Sequence, residues 1–164
     1  METYYSQNAQ IFGARHVGLV VTNLEKSSRF YRALGFVSEG VRIEEGVKLS
    51  KLLGIKNAKI QVEKLHLSRD DKTIWRESGF RLELIEYCNP IATSEGRSFD
   101  NNIVGKIHLC FSIKGLVYVL SQVEMLGGKV LNSIAIGDDK SNSIYINDPD
   151  GTPIELIELW HESE

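Results

Sequence analysis

The chain has only two cysteines among its 164 residues, no excess of basic charge, and no apolar run approaching a membrane span. Each scarcity excludes something. Cys88 and Cys110 lie in apolar surroundings without CxxC spacing, so a disulfide scaffold, a redox pair and a thiolate zinc site are not expected, and both read as core thiols. A formal net charge of -3 leaves no concentrated Lys/Arg face. Nucleic acid and anionic lipid, which both need one, are therefore not expected partners. The opening METYYSQNAQIFGAR lacks the charged start and apolar core of a secretory signal. Without that signal or a membrane span, a cytoplasmic protein is expected.

What remains is ordinary soluble composition, 42% apolar and 25% charged, long enough for one substantial domain or two small fused units. An internal repeat favours the fused units. ELIE occurs at Glu83 to Glu86 and again at Glu155 to Glu158. HVGLVVTNLEKSSRFYRALGF, from His16, aligns without a gap with HLCFSIKGLVYVLSQVEMLGG, from His108. The alignment superposes His16 on His108, Leu24 on Leu116, and Leu34-Gly35 on Leu126-Gly127.

Each copy opens with a short strand-forming run, HVGLVV or HLCFSI. Each then enters a helix. Leu24, Phe30, Tyr31 and Leu34 form the apolar stripe of the first, with Thr22 or Asn23 as its cap; Leu116, Val119, Leu120, Val123 and Leu126 form that of the second. Gly35 and Gly127 fit the left-handed position that ends a helix. Three strands follow in each copy: FVSEGVRI, KIQVEKLHL and FRLELIEY in the first, KVLNSIAI, SIYIND and PIELIELW in the second. EGVKLSKLLG reads as a loop with a short helical turn, while SRDDK, GDDKSN and DPDG read as turns or loops. The expected organisation is an extension at 1–14, a first βαβββ module at 15–88, a linker at 89–103, a second module at 104–160 and a tail at 161–164.

One helix cannot cover both faces of a small sheet, so each module keeps an open face that a curled, paired arrangement can enclose. The repeated polar residues are His16, Glu83, His108 and Glu155, one imidazole and one carboxylate from each module, all expected on strands. If an approximate twofold axis relates the modules, the four converge on one concave face. Imidazoles mixed with carboxylates suit one divalent ion among Zn, Ni, Co, Mn and Fe. Side chains alternate along a strand, so only one Glu of each ELIE can face that ion; Glu86 and Glu158 are expected to be bystanders. Taken singly, any of these residues is an ordinary surface glutamate or core histidine. Their joint position in the repeat points to a metal.

ARHVGLVVTNLEKSSRFYRALGF, RLELIEY, KIHLCFS and INDPDGTPIELIE resemble the vicinal oxygen chelate superfamily over nearly the whole chain, from Arg15 to Leu159. That superfamily includes glyoxalase I, methylmalonyl-CoA epimerase, ring-cleaving extradiol dioxygenases and antibiotic-resistance proteins. The resemblance implies an α+β fold of two tandem βαβββ modules forming a curled mixed sheet around a central metal cleft. It also implies metal ligands at His16, Glu83, His108 and Glu155, with Glu155 doubling as a catalytic base. The implied activity is that of a lyase or isomerase, promoting proton transfer beside a metal-chelated carbonyl as an epimerase or a lactoylglutathione lyase does. The alternatives are an extradiol-type dioxygenase, against which the extra carboxylate Glu83 argues, and a non-catalytic binder of antibiotics or other small molecules.

Val20 and Tyr87 stand where bacterial glyoxalase I resembles a pattern of Arg and Asn that holds glutathione, which weakens the case for that substrate. Tyr87 and Tyr145 are expected to line the substrate site, and Trp75 lines the same pocket or the core. Glu44, Glu45 and Glu63 read as possible second bases or, more simply, solvated glutamates. His66 and His161 fall outside the repeat and read as non-ligands. Relatives commonly pair, so the expected partners are a small-molecule substrate and a second copy of the chain.

Overall fold

The computed structural model describes residues 15–67, 80–93, 104–136 and 141–159. The expected N-terminal extension, the SRDDK turn, Trp75, much of the linker, residues 137–140 of the GDDKSN loop, His161 and the tail lie outside the described residues.

The first module runs β1 (Val17–Val21), α1 (Leu24–Ala33), β2 (Phe36–Glu45), α2 (Val47–Leu53), β3 (Lys59–Leu67) and β4 (Arg81–Asn89). Asn23 begins α1 in an extended conformation, and its side chain accepts the Lys26 N–H at 2.8 Å. This satisfies one of the donors that every helix start leaves free. Leu24, Phe30 and Tyr31 are buried, as the stripe requires, and Gly35 takes a φ of 101° just past the helix. The expected helical turn in EGVKLSKLLG is α2, which closes on Gly54 in the left-handed conformation.

The second module runs β5 (Leu109–Ser112), α3 (Leu116–Val123), β6 (Lys129–Val130), β7 (Ala135–Ile136), β8 (Ser141–Asn147) and β9 (Pro153–Leu159). Leu116, Val119 and Val123 are the buried stripe of α3. The copies differ in one strand. KVLNSIAI forms two short strands, β6 and β7, both paired with β8. The cause is Asn132, whose Oδ1 accepts the Tyr145 N–H at 3.1 Å and so replaces a backbone partner in the ladder.

Each module is a mixed sheet, ordered β1-β4-β3-β2 in the first and β5-β9-β8-β6 in the second. In both, the opening strand lies parallel to the ELIE strand. The register is the same as well: Gly18 faces Glu83 and Cys110 faces Glu155, each two residues after its histidine. Among the described residues, β1 and β5 have a strand neighbour on one side only.

The helix-covered faces of the two sheets share one core. Leu82, Leu84 and Leu65 of the first module and Leu109, Ile144, Ile154 and Leu156 of the second belong to a single buried cluster around Phe30 and Tyr31. Phe36 meets Phe111 edge to face, with ring centres 5.5 Å apart. Polar contacts fix the modules relative to each other at the DPDG turn. Tyr31 donates to the buried Asp148 at 2.8 Å, and Asp150 accepts from the Thr22 hydroxyl at 2.6 Å and from Ser27 at 3.2 Å. Gly128 makes this approach possible: a Cβ there would lie 2.6 Å from both the Asn147 carbonyl and the Phe30 ring.

Candidate metal centre

Strand alternation decides which glutamate of each ELIE can reach the open face. Leu82 and Leu84 are fully buried in the core, so Glu83 between them points the other way. Ile154 and Leu156 do the same for Glu155. His16 and His108 each lie one residue before their strand rather than on it, at the mouth of the same face.

Each module brings its own pair together. His16 Nε2 lies 3.5 Å from Glu83 Oε2, and His108 Nε2 lies 3.5 Å from Glu155 Oε2. That spacing suits a shared ion, because two ligands each about 2.1 Å from a tetrahedral metal stand roughly 3.4 Å apart. The donor chemistry fits too: imidazole nitrogen with carboxylate oxygen is a common set for Zn, Mn, Co or Ni.

The four residues do not converge within one chain, contrary to the twofold argument made from the sequence. Among the described residues no three His, Cys, Asp or Glu side chains are grouped to hold an ion. The physical reason is the shared core. Both helix-covered faces pack inward, which turns the two open faces, with their His-Glu pairs, outward from a common interior. A catalytic centre needs about three protein ligands. Each pair alone supplies two such donors, a candidate half-site.

The half-sites differ in what surrounds the carboxylate. Lys64, directly across β3 from Glu83, places Nζ 3.2 Å from Glu83 Oε1. The equivalent neighbour of Glu155 is Tyr145, whose ring sits edge-on to His108 at 5.6 Å. Burial pushes the Tyr145 hydroxyl above its ordinary range, and the charge of Glu155 and a hydrogen bond to it push the same way. Cys110, although largely exposed, shifts the same way, through partial loss of water around its thiol and then the charge of and hydrogen bond to Glu155. Glu155 is thus flanked by neutral O–H and S–H donors and Glu83 by an ammonium.

Several sequence expectations change here. Cys110 is exposed on the open face rather than a core thiol, because it shares the pleat direction of Glu155; Cys88 is half-buried, and both are free. Tyr87 packs with Leu49, Ile60 and Val62 in a small cluster under α2, on the same strand face as Glu83 but four residues away. Glu63 is buried, 4% exposed, and accepts from the Ser28 hydroxyl at 3.0 Å, so it is neither solvated nor near the half-sites. Glu45 pairs with Lys59 at 3.2 Å, and His66 lies 3.5 Å from Glu39, apart from both metal pairs.

Glu86 and Glu158 are not idle. Glu86 Oε2 accepts the Leu24 N–H at 2.6 Å at the start of α1. Glu158 Oε1 accepts the Gly115 and Leu116 N–H groups at 2.6 and 3.0 Å at the start of α3. The second glutamate of each ELIE therefore satisfies free donors at the N-terminus of its own module's helix, where negative charge is also favoured. The two glutamates of each ELIE thus point to opposite faces of one strand, the second of them toward the helix start.

The model of the Glyoxalase/Bleomycin resistance protein/Dioxygenase superfamily matches residues 13–156. No curated protein sequence matches the chain. Among solved structures, a glyoxalase family protein from Bacillus cereus superposes with a TM-score of 0.81 at 18% identity, over 95% of this chain and all of that one. A glyoxalase I mutant from Zea mays gives a TM-score of 0.57 at 17% identity, over 87% of this chain, which spans 43% of that longer protein. The fosfomycin resistance protein FosX from Listeria monocytogenes, solved with Mn(II) and sulfate, gives 0.51 at 16% identity over 91% of this chain and 93% of that one. The repeat visible in the sequence is the repeat of the backbone, and a family match that runs through both copies accounts for it: the chain belongs to the Glyoxalase/Bleomycin resistance protein/Dioxygenase superfamily.

Proposed function

We propose that the protein is a divalent-metal-dependent enzyme of the lyase or isomerase type that moves a proton beside a chelated carbonyl, and that its centre is assembled from half-sites of two copies. The observation that carries this reading is the pair of 3.5 Å His-Glu contacts on outward open faces. A twofold dimer that sets the first module of one copy beside the second module of the other joins the half-sites into two centres of two imidazoles and two carboxylates. The one-sided edges β1 and β5, immediately after His16 and His108, are the natural seam. Membership in a superfamily that includes FosX, a protein solved with Mn(II), supports a divalent ion.

A divalent ion bound there supplies Lewis-acid polarisation of a substrate carbonyl. The chain's own residues divide the remaining work. His16 and His108 present Nε2 as ligands. Glu83 is held by Lys64, whose ammonium occupies Oε1 at 3.2 Å. Among the described residues Glu155 has no ammonium at the place Lys64 takes beside Glu83, so its carboxylate is the one we assign to take and return a proton; Tyr145 and Cys110 donate to it. Val20 and Ile85 make the wall beside Glu83 apolar, which suits a substrate other than a charged tripeptide.

Glu155→Gln tests the assignment. The variant should fold and dimerise like the native protein, while solvent-deuterium exchange at the α-carbon of thioester or hemithioacetal substrates, followed by NMR, falls by at least about a hundredfold. Undiminished exchange contradicts the role.

A further inference from the structure

The repeat puts Lys64 and Tyr145 in the same place, each the direct cross-strand neighbour of the first glutamate of its ELIE. One is a cation and the other a neutral phenol. We propose that Lys64 sets the charge of the assembled centre and thereby selects substrates that carry an oxyanion next to the chelated oxygen. The proposal rests on the shared metal centre described above, and deepens it by naming a substrate class and the residue that chooses it.

The geometry gives Lys64 two effects. Its Nζ lies 3.2 Å from Glu83 Oε1, while Oε2 is the oxygen facing His16. Lys64 therefore occupies one carboxylate oxygen and leaves the other to the ion, making Glu83 a one-oxygen ligand. Its second effect is on net charge. A divalent ion, two carboxylates and two neutral imidazoles balance to zero; the ammonium leaves one positive charge uncompensated. On the same face, Arg42 and Glu44 of β2 carry opposite charges, Glu39 lies 3.5 Å from His66, and Arg81, two residues before Glu83, is a further cation, so these groups do not cancel it. Lys64 side-chain exposure is 36%, and an ammonium has three donors, so N–H groups remain after Glu83 is satisfied. A ligand with one negative oxygen neutralises the site and can accept from Lys64; its uncharged counterpart does neither.

A second consequence separates this role from simple packing. Lys64 competes with the metal for the charge of Glu83, so removing it should favour metal binding while it weakens anion binding. Damage to the sheet weakens both.

The test uses the full chain, with Co(II) as the metal and glycolate and glycolamide, an anion and its neutral isostere, as probes. Metal affinity is read by calorimetry and probe binding by the visible spectrum of the Co(II)-loaded protein. Lys64→Met should bind Co(II) at least as tightly as the native chain, bind glycolate about tenfold more weakly, and bind glycolamide within about twofold of native. Lys64→Arg should keep the glycolate preference. Unchanged glycolate affinity in Lys64→Met overturns the proposal, and so does a parallel loss of Co(II) and glycolate binding. Failure of the native chain to bind Co(II) overturns the metal centre itself, and this proposal with it.

Discussion

Truncating Glu158 to Ala should destabilise the protein without touching its metal. In the structure Glu158 Oε1 accepts two backbone N–H groups, from Gly115 at 2.6 Å and Leu116 at 3.0 Å. The helix they begin has glycine as its cap and no side-chain cap of its own. Each charge-assisted bond contributes about 1 kcal/mol after water replaces the carboxylate on a partly exposed backbone, and the charge-dipole attraction adds roughly 0.5 kcal/mol. The Ala variant should therefore lose about 2.5 kcal/mol, and Gln, which keeps an acceptor but no charge, about 1 kcal/mol. Glu86→Ala should lose less, about 1 kcal/mol, because Glu86 accepts one N–H and Asn23 still caps the same helix. Urea denaturation with a common m-value measures all three, and metal content by elemental analysis should equal that of the native protein. A loss below about 0.5 kcal/mol for Glu158→Ala, or a fall in bound metal in any of the three variants, refutes the division of the two ELIE glutamates between helix and metal.

Burial raises the Asp148 carboxyl above its ordinary 3.8, against the lowering effect of its bonds from Thr152, Tyr31 and Asp150. The folded state then binds that proton more tightly than the unfolded chain, so the contribution of Asp148 to stability falls as pH rises from 3.8 through its raised folded value. Asp148→Asn removes this term, and over that range the stability difference measured by urea midpoints should shift in favour of the variant as pH rises; a shift the other way contradicts it. Gly128→Ala should cost at least about 2 kcal/mol, since its Cβ would meet a backbone oxygen and the Phe30 ring where the modules join, and a neutral effect on thermal unfolding would show that the junction is looser than described.

Much of this was legible in the chain because it is written twice. His16 with His108, Gly35 with Gly127, and the two ELIE segments fix the module, its helix ends and its last strand, and alternation puts the two glutamates of each ELIE on opposite faces. Four things were not legible. The division of KVLNSIAI depends on one side-chain bond from Asn132 to a strand distant in sequence. The capping by Glu86 and Glu158 depends on where the helix start docks, and strand periodicity says only that these residues face the helix side. The third concerns assembly. A repeat implies equivalent environments, but whether two equivalent faces look toward or away from each other depends on which faces bury the core, and Phe30, Tyr31 and Phe111 packing between the sheets decides that. Lys64 escaped notice because its partner is set by hairpin register rather than by spacing along the chain.

The most direct test of a centre shared between copies is complementation between half-site variants. His16→Ala and His108→Ala, prepared separately, should each lose tight metal binding, since every centre in either dimer lacks one imidazole. After unfolding and refolding together, the mixed dimers should regain one native centre, built from His16 and Glu83 of one chain and His108 and Glu155 of the other. Isolated by differential tags, they should bind one metal ion per dimer with native affinity. Mixed dimers that bind no metal tightly would contradict the shared centre.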